Sequence, residues 1–144
     1  MSDLAAAVVR RLLPAPAEIV YETWLDPEAI AEFITPPPGR SGRIDWNPQV
    51  GRPFSIEMVD FEETVRIDGS FLALDRPSRL QFTWRSSFGG GFDSLVTIDL
   101  EPRGDQETLM TIEHQRLPAR VRRSHQLGWT AIAGQVEAAI AVRR

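Results

Sequence analysis

The sequence has no cysteine, which excludes disulfides, thiolate metal sites and cysteine nucleophiles. It has no lysine either: all 16 basic residues are arginine, so Schiff-base chemistry and a lysine general base are also excluded. Histidine is scarce. Only His114 and His125 are present, and the acidic residues around them match no standard metal spacing, so neither a metal nor another cofactor is expected. There is no excess of positive charge: a formal net charge of −4 argues against nucleic acid and anionic membranes as partners. Nor is there an apolar run long enough to span a bilayer, and the N-terminus carries Asp3 where a signal peptide needs positive charge. A cytoplasmic location is therefore expected, with small molecules or other proteins as partners. The Gly-x-Ser-x-Gly elbow, the phosphate loop, the dinucleotide fingerprint and His-Glu-x-x-His are all missing. With 144 residues, 42% of them hydrophobic, no internal repeat and no long linker, one domain over residues 1–144 is expected.

What is present is a periodic pattern of two kinds. From Pro118 to Val142 the residues Val121, His125, Gly128/Trp129, Ile132, Val136 and Ala139/Ile140 recur at steps of three and four, the stripe of a helix roughly 35 Å long. Such a helix needs an apolar surface to lie on. Between Arg43 and Gln115 the period is two: Ile44 and Trp46; Phe54, Ile56 and Met58; Val65 to Ala73; Leu80, Phe82 and Trp84; Val96 to Leu100; and Thr108 to His114. These read as six antiparallel strands separated by turns at Asn47-Pro48, Asp60 to Glu63, Asp75-Arg76-Pro77, Ser86 to Asp93 and Glu101 to Asp105. Ahead of them, Leu4 to Leu13 reads as a first strand stopped by Pro14-Ala15-Pro16. Ala17 to Leu25 and Pro27 to Phe33 then read as two short helices, the second opened by Asp26-Pro27 and halted by Pro36-Pro37-Pro38-Gly39. The order is that of an α+β fold with helices on one face of a single sheet.

Three groups of residues are candidates for function. The first is the inward aromatics, together with one helix carrying Gly128, Ala133 and Gly134. One sheet and such a helix supply few bulky groups to plug the middle, so an apolar pocket is reasonable. Its candidate ligand-contacting residues are Trp24, Phe33, Trp46, Phe54, Met58, Phe71, Phe82, Trp84, Met110, Trp129 and Ile132. The second is the pair His114 and His125, expected at one end of the same groove, each either hydrogen-bonded in the core or bordering a cavity. As a general base, either would draw on Glu57, Asp68 or Glu113. The third is Arg116, Arg120, Arg122 and Arg123, a cluster at the helix N-terminus where cations oppose the dipole. It is read either as paired with surface acids or as a docking patch for an acidic partner. Gly89-Gly90-Gly91, between Phe88 and Phe92, is read as a hairpin tip, with a mobile aromatic flap as the alternative.

Several stretches resemble, in order, the START-like (SRPBCC) superfamily. They are Val8-Val9-Arg10-Arg11 into Ala15-Pro16, Asp26-Pro27-Glu28, Leu80-Gln81-Phe82-Thr83-Trp84, Glu107-Thr108-Leu109 and His125-Gln126-Leu127-Gly128-Trp129. Within it the chain is similar to proteins like the activator of the 90-kDa heat-shock chaperone ATPase. The resemblance implies a helix-grip fold, in which a curved antiparallel sheet of six or seven strands wraps the C-terminal helix and two short helices close one end. It also implies one of three activities. The leading one is non-catalytic binding of a small hydrophobic or aromatic molecule between sheet and helix. The others are a chaperone-associated interaction module and a cyclase-like or hydrolase-like enzyme; either a monomer or a homodimer would suit. Where that family often carries a double glycine, this chain has Gly51-Arg52-Pro53, so Trp46 to Arg52 is expected to shape the pocket entrance differently.

Overall fold

The computed structural model describes residues 3–60 and 63–143; Met1, Ser2, Arg144 and the middle of the expected turn, Phe61-Glu62, lie outside the described residues. The chain begins with β1 (Leu4–Leu13), followed by α1 (Ala17–Leu25) and α2 (Pro27–Phe33). The six strands β2 (Arg40–Asp45), β3 (Pro53–Val59), β4 (Thr64–Asp75), β5 (Arg79–Ser86), β6 (Phe92–Pro102) and β7 (Thr108–Pro118) come next, and α3 (Ala119–Arg143) ends the chain. The strands form one antiparallel sheet in the order β1-β7-β6-β5-β4-β3-β2. The sheet curves round α3, the helix-grip arrangement.

Local chemistry accounts for the breaks. Pro16 sits in the extended region just ahead of α1, where a missing N–H costs nothing. Asp26 ends that helix and opens the next, its carboxylate accepting the Glu28 N–H at 3.0 Å with Pro27 in the first position. On the sheet, alternation drives one face inward. Ile56, Ile67, Phe71, Leu80, Phe82, Val96, Ile98 and Ile112 are buried, and the opposite face carries the cross-strand ion pairs Arg79–Asp99 and Arg85–Asp93, each 2.7 Å. Gly69 is required where β4 crosses the Phe54 ring: a Cβ there would lie 2.1 Å from the Thr83 carbonyl oxygen and 2.6 Å from the ring.

The last strand is longer than its apolar alternation indicates. It runs past His114 to Pro118 because Arg116 adopts φ +62, which restores the inward direction for Leu117 and lets Leu117 and Pro118 pair with Ala5 and Leu4. The helix follows at Ala119 and buries Val121, Trp129, Ile132, Ala133, Val136, Ala139 and Ile140. Polar clamps fix its rotation. The Gln126 side chain bridges both backbone groups of Val8, Gln135 donates to the Phe33 and Thr35 carbonyls, and Arg143 reaches Asp26 at 2.6 Å.

Candidate functional site

The interior under α3 has a filled half and a hollow half. In the filled half Trp46 stacks edge-on against Phe54, Phe71 and Phe82 with centroids 4.8 to 5.5 Å apart, and Trp24 meets Phe33 at 4.8 Å; these are favoured aromatic geometries. In the hollow half the helix offers Ser124, His125 and Gly128 where bulkier residues would close the gap. A cavity of about 240 Å³ remains. The sheet contributes Met58, Val65, Ile67, Trp84 and Ser86, the turn after β5 contributes Phe88, and α3 contributes Trp129 and Ile132. The connection from α2 to β2 closes the mouth with Thr35, Pro36, Pro38 and Gly39, beside Val59 and Asp60.

Of the aromatic, methionine and isoleucine candidates, Met58, Trp84, Trp129 and Ile132 therefore line the cavity. Trp24, Phe33, Trp46, Phe54, Phe71, Phe82 and Met110 do not: all are buried in the core, the six aromatics packed ring against ring. The stretch Trp46 to Arg52 does not shape the mouth either. Its indole donates to the Trp24 carbonyl at 2.9 Å, and Gly51 and Arg52 exchange backbone hydrogen bonds with Phe71. Alternation identifies an inward side chain but not which stretch of the interior is left empty. Phe88, expected at a hairpin tip or on an aromatic flap, lines the cavity from a turn: Phe88–Gly90 forms a short 3₁₀ turn held by the Ser86 hydroxyl, and Gly89 has φ +60.

The two histidines lie together, as their placement implied, with ring centroids 5.1 Å apart, but their situations differ. His114 is fully buried. Its Nδ1 accepts the Trp129 indole N–H at 2.9 Å, so in the neutral ring the proton sits on Nε2 and is donated to Ser94 Oγ at 2.7 Å; Ser94 in turn donates to the Trp84 carbonyl at 2.8 Å. Burial, reinforced by the neighbouring His125, pushes its pKa down to about 2. His114 is thus a saturated, permanently neutral strut behind the cavity wall. It neither lines the cavity nor has a nitrogen free to act as a base. His125 does line it. Its Nδ1 donates to the Val121 carbonyl at 2.8 Å, leaving Nε2 unprotonated, and burial lowers its pKa.

Among the described residues no carboxylate is hydrogen-bonded or ion-paired to either ring. Glu57 accepts from the Arg43 amide and lies 4.0 Å from Arg66, Asp68 lies 3.8 Å from Arg66, and Glu113 alternates with His114 onto the opposite face. Among the described residues there is no cluster of three or more groups able to hold a metal ion. Asp68 and Arg116 instead border a second hollow of about 470 Å³, walled by Arg85, Asp93, Ser70 and Thr83. It is the larger of the two, but its charged walls are exposed, with Arg85 paired to Asp93, so it gives an apolar molecule nothing to bury against. The arginine cluster makes no ion pair with surface acids among the described residues. Arg120 donates to the Gly89 carbonyl at 2.7 Å and Arg122 to the Ala6 carbonyl at 3.1 Å.

The profile of the activator of Hsp90 ATPase homolog 1-like proteins matches residues 14–141. The chain belongs to this family. Solved structures similar to it include a protein from Chromobacterium violaceum, 27% identical over 94% of this chain and 96% of that one, with a TM-score of 0.86. Another is the AHSA1 protein from Silicibacter pomeroyi, 20% identical over 97% and 100% of the two chains, with a TM-score of 0.83. A Nitrosomonas europaea protein is 21% identical over 96% of each chain at a TM-score of 0.79. The latter two carry the fold alone. No curated protein matches the sequence. Among the described residues no helix is long and apolar enough to cross a membrane.

Proposed function

We propose that this family member binds a small apolar or aromatic molecule between its sheet and α3, without chemistry. The observation that carries this reading is the cavity of about 240 Å³ with walls of Met58, Val65, Ile67, Trp84, Phe88, Trp129 and Ile132. Interiors ordinarily close such gaps, because every unfilled contact forfeits dispersion energy. An engineered apolar cavity of about 150 Å³ accepts benzene, so this one has room for a bicyclic aromatic. A thermal-shift screen of neutral aromatic and aliphatic compounds tests the reading. A ligand at a hundred times its Kd stabilises by about 2.7 kcal/mol, worth roughly 5–10 °C at this chain length. A panel of compounds of suitable size that moves the melting temperature nowhere refutes it.

A second reading, association with a chaperone, is favoured by a different observation. Arg116 and Arg123 are exposed, near the start of α3, and have no ion-pair partner among the described residues. An acidic chaperone surface suits them. Reversing both to glutamate should then abolish capture of a purified bacterial 90-kDa chaperone, and failure of the unaltered protein to capture it counts against the interaction.

A further inference from the structure

The two outer edges of the sheet are not alike. At β1 the edge is closed by α3: Gln126 takes both backbone groups of Val8, and Arg122 donates to the Ala6 carbonyl at 3.1 Å. At β2 nothing equivalent is present among the described residues. There, the one hydrogen bond reaching the strand from outside the β2–β3 pair joins the hydroxyls of Thr35 and Ser41 at 2.8 Å. Arg40, Gly42, Arg43 and Asp45 are exposed, while Ile44 leans on the core. A bulge sets Gly42 and Arg43 together opposite Glu57, and the Arg43 amide donates to the Glu57 carboxylate at 2.8 Å. The backbone of Arg43 thus faces β3, as that of Asp45 does beside Ser55, and alternation turns the amide and carbonyl of Ile44 to the open edge. An open edge is a template for another strand unless something restricts the partner.

Here the restriction is charge. Arg43 and Asp45 flank Ile44 on the exposed face of the strand, and neither side chain has a hydrogen-bond or ion-pair partner among the described residues. We propose that β2 is a self-association edge: a second copy of this chain lays its own β2 antiparallel to the first, about a twofold axis at Ile44. Each Ile44 then donates its amide to the partner's Ile44 and accepts one in return, and each Arg43 stands opposite the partner's Asp45. One opposite-charge pair is thereby made twice, as an isologous contact requires. A strand of other sequence leaves one or both charges unmatched. Placing the axis between Gly42 and Arg43 instead would bring Arg40 opposite Asp45, but would set the two bulges face to face, where the ladder is interrupted on both sides. With six residues on each strand the contact is small, so the association is reversible.

The test is sedimentation equilibrium of the full chain from about 5 µM to about 1 mM. The native protein should pass reversibly from monomer to dimer within that range, and about 0.5 M sodium chloride should move the midpoint to higher concentration. Arg43→Asp and Asp45→Arg each set like charges opposite one another twice per dimer, and each should weaken association about tenfold or more. One change lowers the net charge and the other raises it, so loss in both is not an effect of net charge. The variant carrying both changes restores the pairs in reversed order and should recover the native midpoint within about twofold. Arg40→Glu touches neither pair and should move the midpoint far less than either single reversal. A native protein that stays monomeric up to about 1 mM overturns the proposal. So does a dimer indifferent to both single reversals, or a double variant as weak as the single ones. An effect of Arg40→Glu equal to that of Arg43→Asp refutes the axis at Ile44. Should a variant fail to fold, the salt shift of the native midpoint decides, and its absence refutes the charge pairing.

Discussion

Acidifying the protein from pH 7.5 to pH 5 should cost it about 2 kcal/mol through His114 alone. The ring titrates near 6.5 when exposed, but in the folded chain burial and the His125 ring hold its pKa down at about 2. Below pH 6.5 the unfolded chain therefore binds a proton that the folded chain refuses, and stability falls as pH falls, at 1.36 kcal/mol per pH unit for each such group. The contribution is fully present above pH 6.5 and is progressively lost down to about pH 2. Between 6.5 and 5 that is one and a half units, or about 2 kcal/mol, against a typical total of about 5–15. His125, lowered by burial, adds to the loss with the same sign. Asp26, held low chiefly by its hydrogen bond to Arg143, acts only below the ordinary carboxylate range and stays outside this window. Urea unfolding followed by tryptophan fluorescence should show the midpoint dropping by roughly 1 M, given a slope of about 2 kcal/mol per M. His114→Gln keeps an acceptor for Trp129 and a donor for Ser94 but cannot titrate, so its pH slope should shrink by one proton equivalent whatever its absolute stability. An unchanged slope in that variant would mean His114 is protonated in the folded protein, and the assignment of its tautomer would be wrong.

Gly69→Ala should destabilise by about 1–3 kcal/mol, since its Cβ would collide with the Thr83 carbonyl and the Phe54 ring; an unaffected denaturation midpoint would mean that β4 and β5 are not in this register. Asp26→Ala removes the cap of α2 and the partner of Arg143, a loss of about 1 kcal/mol in thermal unfolding, which Asp26→Asn should partly restore at the cap. Gly128→Ala and Gly134→Ala should each stabilise by about 0.5–1 kcal/mol, because glycine in a helix interior is that much worse than alanine and neither Cβ meets anything nearer than 3.5 Å. Only the first should weaken binding of a cavity ligand, since Gly134 does not line the cavity; equal effects of the two on titration would place the ligand elsewhere.

The fold was legible because its elements carry unmixed periods. The alternation of Leu80, Phe82 and Trp84 and the three-four stripe through Trp129, Ile132 and Val136 admit only a half-buried strand and a core-facing helix, and the proline and aspartate punctuation at Pro16 and Asp26-Pro27 marks α1 and α2 to the residue. The site was legible only in part, because periodicity is a property of one element and a cavity is a relation among several. Phe82 and Trp84 occupy the same face of the same strand, yet one is locked among rings and the other borders the hollow. Nothing within β5 distinguishes them. The extension of β7 was hidden by Arg116, whose positive φ shifts the phase by one residue, and the arginines near the start of α3 look unfavourable only until the carbonyls of Gly89 and Ala6 are brought to them by the fold.

The hollow and the saturated network are two sides of one arrangement. His114, Ser94 and Trp129 use up each other's polar atoms and fix the Trp129 ring against Trp84 at 5.4 Å. A histidine that could still exchange protons there would cost its burial energy and loosen the wall behind the cavity; a neutral one, fixed in a single tautomer, holds two tryptophans in place at no charge penalty. The rigidity this gives matters because the facing helix surface is deliberately thin at Ser124 and Gly128, where larger residues would have filled the space from the other side. A wall kept stiff by buried hydrogen bonds is what allows small residues opposite it to leave a gap, since a softer sheet would relax inward and close it. Replacing His114 with leucine should accordingly weaken binding of a cavity ligand although no atom of His114 lines the cavity, and retention of full affinity in a folded His114→Leu protein would show that the wall does not depend on the network.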